Sequence, residues 1–411
     1  MATTVSPTFG NEQLATSLGR QLAIFALLLF AEFFYGWAWN TVDVLRPFIR
    51  ESLGLTLLQA GSAYSAQGAG ALIGAIVIGQ MADRLGRRRM FATLVTGYGV
   101  MLLAGTLVGS YVQLLAQRFL LGFFAGASFP VVVGIYVNLF NPALRGRLAG
   151  ALNATFSLSI VMLGVGMGMV SAAHWHTLLW VGGLPPLFLA ALALFLIPTG
   201  SAVDLVARAE TKLPVRELFA PGLRRQTLML ATMTGLNFFG YSAYSGWLTT
   251  YLTGERGFSP AVAGQLVAWQ FTGNIVGGFI WGWAADRFGR RFNAIGFIIA
   301  ALTIVIYLLA PSDQLLLKSL GLVYGATLCS SVIWGPWMAE LYPPHLQSTA
   351  ASIFNWGRVI SFFAPLITAE IASAFSLSAA MFSAAAAFGI AAVIWLMQRE
   401  TLGREHMVAQ S

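Results

Sequence analysis

A ten-residue segment occurs twice in this chain. Gly79-Gln80-Met81-Ala82-Asp83-Arg84-Leu85-Gly86-Arg87-Arg88 returns as Gly282-Trp283-Ala284-Ala285-Asp286-Arg287-Phe288-Gly289-Arg290-Arg291, with seven of the ten positions identical. From Asp83 to Asp286 the offset is 203 residues, close to half of a 411-residue chain. Gly70 and Gly74 recur at the same offset as Gly273 and Gly277. A chain with two related halves must fold as two similar bodies, and such repeats rocking about a site between them are the plan of secondary transporters.

Composition says which solvent those bodies face. Only 9% of residues are charged and 57% are hydrophobic, against roughly 25% charged in a soluble domain. Apolar stretches of about 20 residues, enough to cross a roughly 30 Å hydrocarbon core, run over 21–45, 59–81, 91–109, 112–137, 148–171, 176–197, 227–252, 261–285, 292–310, 314–338, 348–372 and 377–397. The expected organisation is a cytoplasmic tail 1–20, a six-helix bundle 21–197, a cytoplasmic linker 198–226, a second six-helix bundle 227–397 and a cytoplasmic tail 398–411. The fold class is therefore an all-α membrane protein of twelve transmembrane helices in two pseudo-symmetric bundles.

Charge gives the orientation. With the repeated motif inside, 17 of the 23 Lys and Arg fall on the inner side and four outside, while Arg118 and Arg358 lie within spans. That bias is the positive-inside pattern of a plasma membrane protein, a bacterial inner membrane being expected, with both termini cytoplasmic. It also explains the net charge of +8 without a nucleic-acid partner. The single Cys329 excludes an intrachain disulfide. No metal-ligand cluster, nucleotide-binding loop or nucleophile elbow is present, which argues against an enzyme and against a cofactor or metal.

Ionisable residues inside spans are costly and need a partner, a wet cavity or a function. Glu32, Asp43 and Arg46 lie in span 1, and Arg118 lies in span 4 at a depth similar to Asp43. Asp43 paired with Arg118, or with Arg46, would be an acid stabilised as an anion in one conformation and expensive in the other, which proton coupling requires; a static ion pair, or an Asp43 simply wetted at the outer mouth, is the alternative. Arg358 lies about ten residues into span 11 and suits a carboxylate or phosphate, with Asn355 one turn earlier on the same face; the alternative is that it bonds backbone carbonyls or a carboxylate on another helix. Further candidates for a substrate cavity are Tyr35, Trp39 and Asn40 in span 1, Asn237, Tyr241 and Tyr244 in span 7, Gln270 and Asn274 in span 8, and Trp334 in span 10. At the inner surface Asp83, Arg84, Arg87, Asp286, Arg287, Arg290 and Glu340 form a candidate gate, in which each aspartate can pair with arginines or a helix N-terminus.

The doubled Gly-x-x-Ala-Asp-Arg-x-Gly-Arg-Arg motif resembles that of the major facilitator superfamily, and Arg118-Phe119-Leu120-Leu121-Gly122 resembles its span-4 Arg-x-x-x-Gly motif, associated with proton coupling. The resemblance implies alternating access around a cavity lined mainly by spans 1, 4, 7 and 10. Three further pieces are similar to the organic-acid and sugar-acid proton symporters, including the sialate and aromatic-acid groups. These are Gly246-Trp247-Leu248-Thr249-Thr250-Tyr251-Leu252 followed by Glu255-Arg256-Gly257, then Glu340-Leu341-Tyr342-Pro343, and Asn355-Trp356-Gly357-Arg358. Where those symporters tend to carry two acids three apart in span 1, this chain has Asn40 and Asp43. The expected function is proton-coupled symport of a small organic anion by a monomer in the bilayer. An exporter of drugs or metabolites and a non-transporting sensor of the same fold are the alternatives.

Overall fold

The computed structural model describes residues 17–140, 144–198, 215–343, 346, 350 and 353–401, without the side chains of 79, 80, 82–84, 129, 130, 137, 138, 145, 146, 336, 339, 354, 355, 358 and 361. The first half contains α1 (Leu18–Val44), α2 (Arg46–Leu53), α3 (Leu57–Leu85), α4 (Arg87–Ala104), α5 (Tyr111–Ala125), α6 (Ser128–Leu139), α7 (Arg145–Met167) and α8 (Thr177–Leu196). The second contains α9 (Arg224–Tyr244), α10 (Leu248–Gly254), α11 (Pro260–Phe288), α12 (Ala294–Leu309), α13 (Gln314–Leu328), α14 (Trp334–Glu340), α15 (Ile353–Trp356), α16 (Arg358–Ala374) and α17 (Leu377–Leu396). Grouped along the chain they make twelve spans: α1, α3, α4, α5 with α6, α7 and α8, then α9 with α10, α11, α12, α13 with α14, α15 with α16, and α17.

We call the end carrying the two repeated loops the motif end and the opposite one the far end. Spans 4, 8, 10 and 12 start at the far end, and each start is written in the sequence as an N-cap. Ser110, Ser259, Asp313 and Ser376 accept from the backbone N–H three residues on, at 3.4, 3.4, 2.7 and 3.0 Å, satisfying donors that have no intrahelical partner.

The 203-residue repeat is structural down to single contacts. A Cβ added to Gly70, Gly74 or Gly122 would lie 1.9, 1.8 and 1.9 Å from the carbonyl oxygens of Phe119, Phe123 and Gln67. At Gly273, Gly277 and Gly325 it would lie 2.0, 2.0 and 1.7 Å from those of Leu322, Ala326 and Gln270. Every residue in the second set stands 203 positions after its counterpart. Spans 2 and 4, and likewise 8 and 10, are thus pressed backbone to backbone, the close approach that glycine permits inside a membrane. The helix breaks repeat too, since span 4 is interrupted at Gly126 and span 10 changes to a 3-10 turn starting at Cys329, again 203 residues on.

The halves meet along two seams, span 2 against span 11 and span 5 against span 8. The second seam is a wedge. Near the far end Gly164 and Gly264 face each other so closely that a Cβ on either would lie 2.6 or 2.1 Å from the other's carbonyl oxygen. Gly282 lies on the same face of α11 five turns further toward the motif end, where an added Cβ meets nothing within 4 Å, and Gly150 of α7 is equally free. Hydrogen bonds between halves follow the same gradient: Ser65 Oγ to the Phe362 carbonyl (2.7 Å) and Ser157 Oγ to Asn274 Oδ1 (2.9 Å) lie between mid-depth and the far end. Among the described residues the halves are in close contact toward the far end, and at Gly150 and Gly282 toward the motif end they are not.

Candidate functional site

Where span 1 reaches the far end, Pro47 follows the break at Leu45 and α2 begins. The break leaves Asp43 and Arg46 beside the start of α10. Both are buried, at 6% and 2% exposure, as is Arg118 of span 4 at 1%. Asp43 forms its ion pair with Arg46, three residues on across the break at Leu45 and the nearer in sequence of the two partners the sequence allows. Arg118 Nη1 instead donates to Thr41 Oγ1 at 2.8 Å, and its Nε has no hydrogen-bond partner among the described residues.

The Asp43–Arg46 pair reaches across the two halves. Arg46 donates to the Gly246 carbonyl and lies over the Trp247 ring, 4.2 Å from its centroid. Thr249 Oγ1 in turn donates to the Asp43 carbonyl at 2.8 Å. Trp247 is fully buried, bonds Thr368 Oγ1 of span 11 through its indole N–H (2.7 Å), and abuts Gly61 of span 2. One ring thus joins spans 1, 2, 7 and 11. Trp247→Ala would leave a cavity and an uncovered guanidinium, with an expected stability loss of about 3 kcal/mol or more, read as a lower unfolding temperature in detergent, whereas Phe should recover much of it.

Below this junction a cavity of about 10 Å³ is lined by Asn40, Asp43, Val44, Ile160, Tyr241, Ser245, Thr249, Val267 and Phe271, roughly the room of one water. Four spans contribute, two from each half. Asn40 is fixed by a bond to the Gly36 carbonyl (2.8 Å), and Gln270 by one to Ser245 Oγ (2.8 Å). Asn237 is buried with its Oδ1 unpartnered among the described residues, and Asn274 stands on the seam opposite Ser157. Tyr35 and Trp39 pack with Tyr98, Phe156 and Tyr64 within the first half.

Two expected lining residues are placed elsewhere. Tyr244 is enclosed by Tyr307 and Tyr324, and Trp334 by Phe297 and Trp395, all inside the second half. Helical spacing places such rings on a face but does not say whether the face meets the seam or the bundle interior. Arg358 heads α16. Its side chain and that of Asn355 lie outside the described residues, as do the side chains of Asp83 and Arg84.

At the motif end Arg290 pairs with Asp286 (2.7 Å) and Glu340 (3.3 Å), and Arg87 donates to the Gly134 carbonyl (2.6 Å); Arg287 is exposed. Each of these contacts stays within one half. Sequence reasoning missed Glu400, whose carboxylate accepts from the backbone N–H groups of Arg290 and Arg291 (2.9 Å each), and also Thr41, Gln67 and Thr249. A lone threonine or a tail glutamate carries no signal until the fold brings its partner close.

Two pseudo-symmetric six-span halves, with charge buried at their junction, are the architecture of a membrane transporter. The sequence matches the Major Facilitator Superfamily over residues 28–257 and 230–406, and the chain belongs to that family. It is 26% identical over 360 residues to the cis,cis-muconate transport protein of Acinetobacter baylyi, covering 84% of this chain and 86% of that one. It is also 28% identical over 363 residues to the 4-hydroxybenzoate transporter PcaK of Pseudomonas aeruginosa, with 80% of each covered. Among solved structures it resembles the nucleoside transporter NupG, with a TM-score of 0.75 at 13% identity over 91% of this chain and all of that one. These relatives and this fold are those of membrane transporters, not enzymes.

Proposed function

We propose that this protein is a proton-coupled symporter of a small organic acid, of the aromatic or unsaturated carboxylate kind that its relatives' names specify. The observation that carries the reading is a charge count. Asp43, Arg46 and Arg118 are all buried near one another, two cations against one anion, and the next described buried acid is Glu32, eleven residues earlier and about 16 Å along the helix. A buried charge without a counter-charge is expensive, so the junction favours an incoming carboxylate. Arg118 is the group with donors to spare, and a guanidinium suits a carboxylate's paired oxygens.

Asp43 supplies the coupling. Ionised, it holds Arg46 in the pose that reaches Gly246 across the halves, so the far end is latched. Protonated, it removes that counter-charge and weakens the latch. The proton thereby biases the equilibrium between the two access states, as a coupling ion must. The motif end faces the cytoplasm in this reading, with both termini on that side and 198–226 linking the bundles. The reading also assigns substrate binding to Arg358 and Asn355 of span 11, and closure of the inner side to the paired motif loops with Glu340.

Uptake of labelled benzoates, muconate and neutral analogues into proteoliposomes tests the substrate class. Acids, and not their amides, should be accumulated, and Arg118→Gln should raise KM roughly 10- to 100-fold, the worth of a lost hydrogen bond to a charged group. Transport of the amides as well as the acids would contradict the reading.

A further inference from the structure

The Glu255-Arg256 pair at the far end is not used by the site, yet it makes seven hydrogen bonds there. Arg256 donates from Nε to the Tyr251 hydroxyl (2.6 Å) and from its two Nη atoms to the carbonyls of Tyr307 (3.2 Å), Leu308 (2.8 Å) and Ala310 (2.7 Å) and to Ser312 Oγ (3.4 Å). These carbonyls end α12, where the last acceptors lack intrahelical donors and a cation is favoured. Glu255 does the converse, accepting from the backbone N–H groups of Leu377 (2.5 Å) and Ser378 (3.2 Å) at the start of α17, where an anion is favoured. An acid on one helix's N-terminus and a base on another's C-terminus, adjacent in sequence, rivet the end of α10 to spans 9 and 12. The first half does not repeat the device, since Ser52 and Leu53 stand at the 203-residue offset.

The other end of α10 carries the latch, through Gly246, Trp247 and Thr249. Between Tyr244 and Leu248 the span is broken, so α9 alone does not fix the direction of α10. We infer that Glu255 and Arg256 are positioning residues for the far-end gate: they make α10 a fixed jaw of the second half, against which Asp43 and Arg46 close. The inference rests on the far end being a gate, as the proposed function requires. Without the rivet α10 can follow span 1, and the closed far end loses the backing of spans 9 and 12.

Ser65 is buried on the seam between halves, and Cys329 is the chain's one cysteine. Ser65→Cys in a Cys329→Ala background therefore reports far-end opening by its rate of reaction with a bulky maleimide, measured in nanodiscs without substrate. Arg256→Gln and Glu255→Gln are each expected to raise that rate about tenfold, the scale of a lost charge-assisted bond, with partial rescue by Arg256→Lys. A merely structural role would lower the unfolding temperature and leave the rate unchanged. Should Arg46→Gln raise the rate while both rivet variants fold and do not, the positioning inference falls and the gate reading stands. An unchanged rate in all three overturns the gate reading and the inference with it. If Arg256→Gln does not fold, the isosteric Glu255→Gln decides.

Discussion

Asp43→Asn is expected to abolish accumulation of substrate against its gradient while leaving exchange of internal for external substrate intact. Asparagine has the shape of the protonated acid and accepts from Arg46, but it carries neither the charge nor the proton. With one proton per substrate, a gradient of one pH unit sustains about tenfold accumulation, since one unit corresponds to about 1.36 kcal/mol. In the variant the ratio should fall to about 1. Counterflow separates the two activities, because it needs reorientation of the loaded carrier and no driving ion. Arg46 and Arg118 are both within the field of Asp43, and the carboxylate's pairing with Arg46 makes the neutral variant a weaker latch. Its far end should therefore open more readily than that of the native protein.

The second large effect belongs to the glycine seams. Gly277→Val, or its repeat-mate Gly74→Val, places a branched side chain where even a Cβ would sit 2.0 or 1.8 Å from an opposing carbonyl oxygen. The obstruction is backbone, which cannot turn aside as a side-chain tip can, so spans 8 and 10 or 2 and 4 must separate. The cost should exceed the 1–3 kcal/mol typical of overpacking, about 3 kcal/mol or more, and the variants should be recovered poorly folded from membranes. Gly150→Ala and Gly282→Ala are the controls. Both meet open space, and each should gain roughly 0.5–1 kcal/mol from helix propensity. Thermal unfolding in detergent compares the four, and equal stability across them would mean that the seams are not close-packed.

How legible these features were in the sequence depended on the range of the interaction. The twelve spans could be read because an apolar length of about 20 residues is a local property, and the two halves because the repeat keeps a constant 203-residue offset from Gly70 to Arg88. The buried charges were legible for the same reason: Asp43, Arg46 and Arg118 are costly in an apolar span whatever surrounds them. Which partner Asp43 takes was left open between Arg46 and Arg118, since depth along two helices does not give their relative rotation. Tyr244 and Trp334 were misplaced on similar grounds, as one aromatic face serves equally for a seam or a bundle interior. The breaks at Gly126, at Cys329 and at 245–247 have no strong local signature, because no proline stands at any of them. Glu255, Thr249 and Glu400 take their meaning wholly from distant backbone groups that only the fold brings near.

The most direct test of the central claim is the proton itself. A pH-sensitive dye is sealed inside proteoliposomes with no imposed pH gradient, and an impermeant organic acid of the transported class is added outside. The account expects acidification of the interior with native protein, proportional to acid taken up, and none with Asp43→Asn even while labelled acid still exchanges. Acid entry without any proton movement in the native protein, or undiminished acidification in Asp43→Asn, would contradict it.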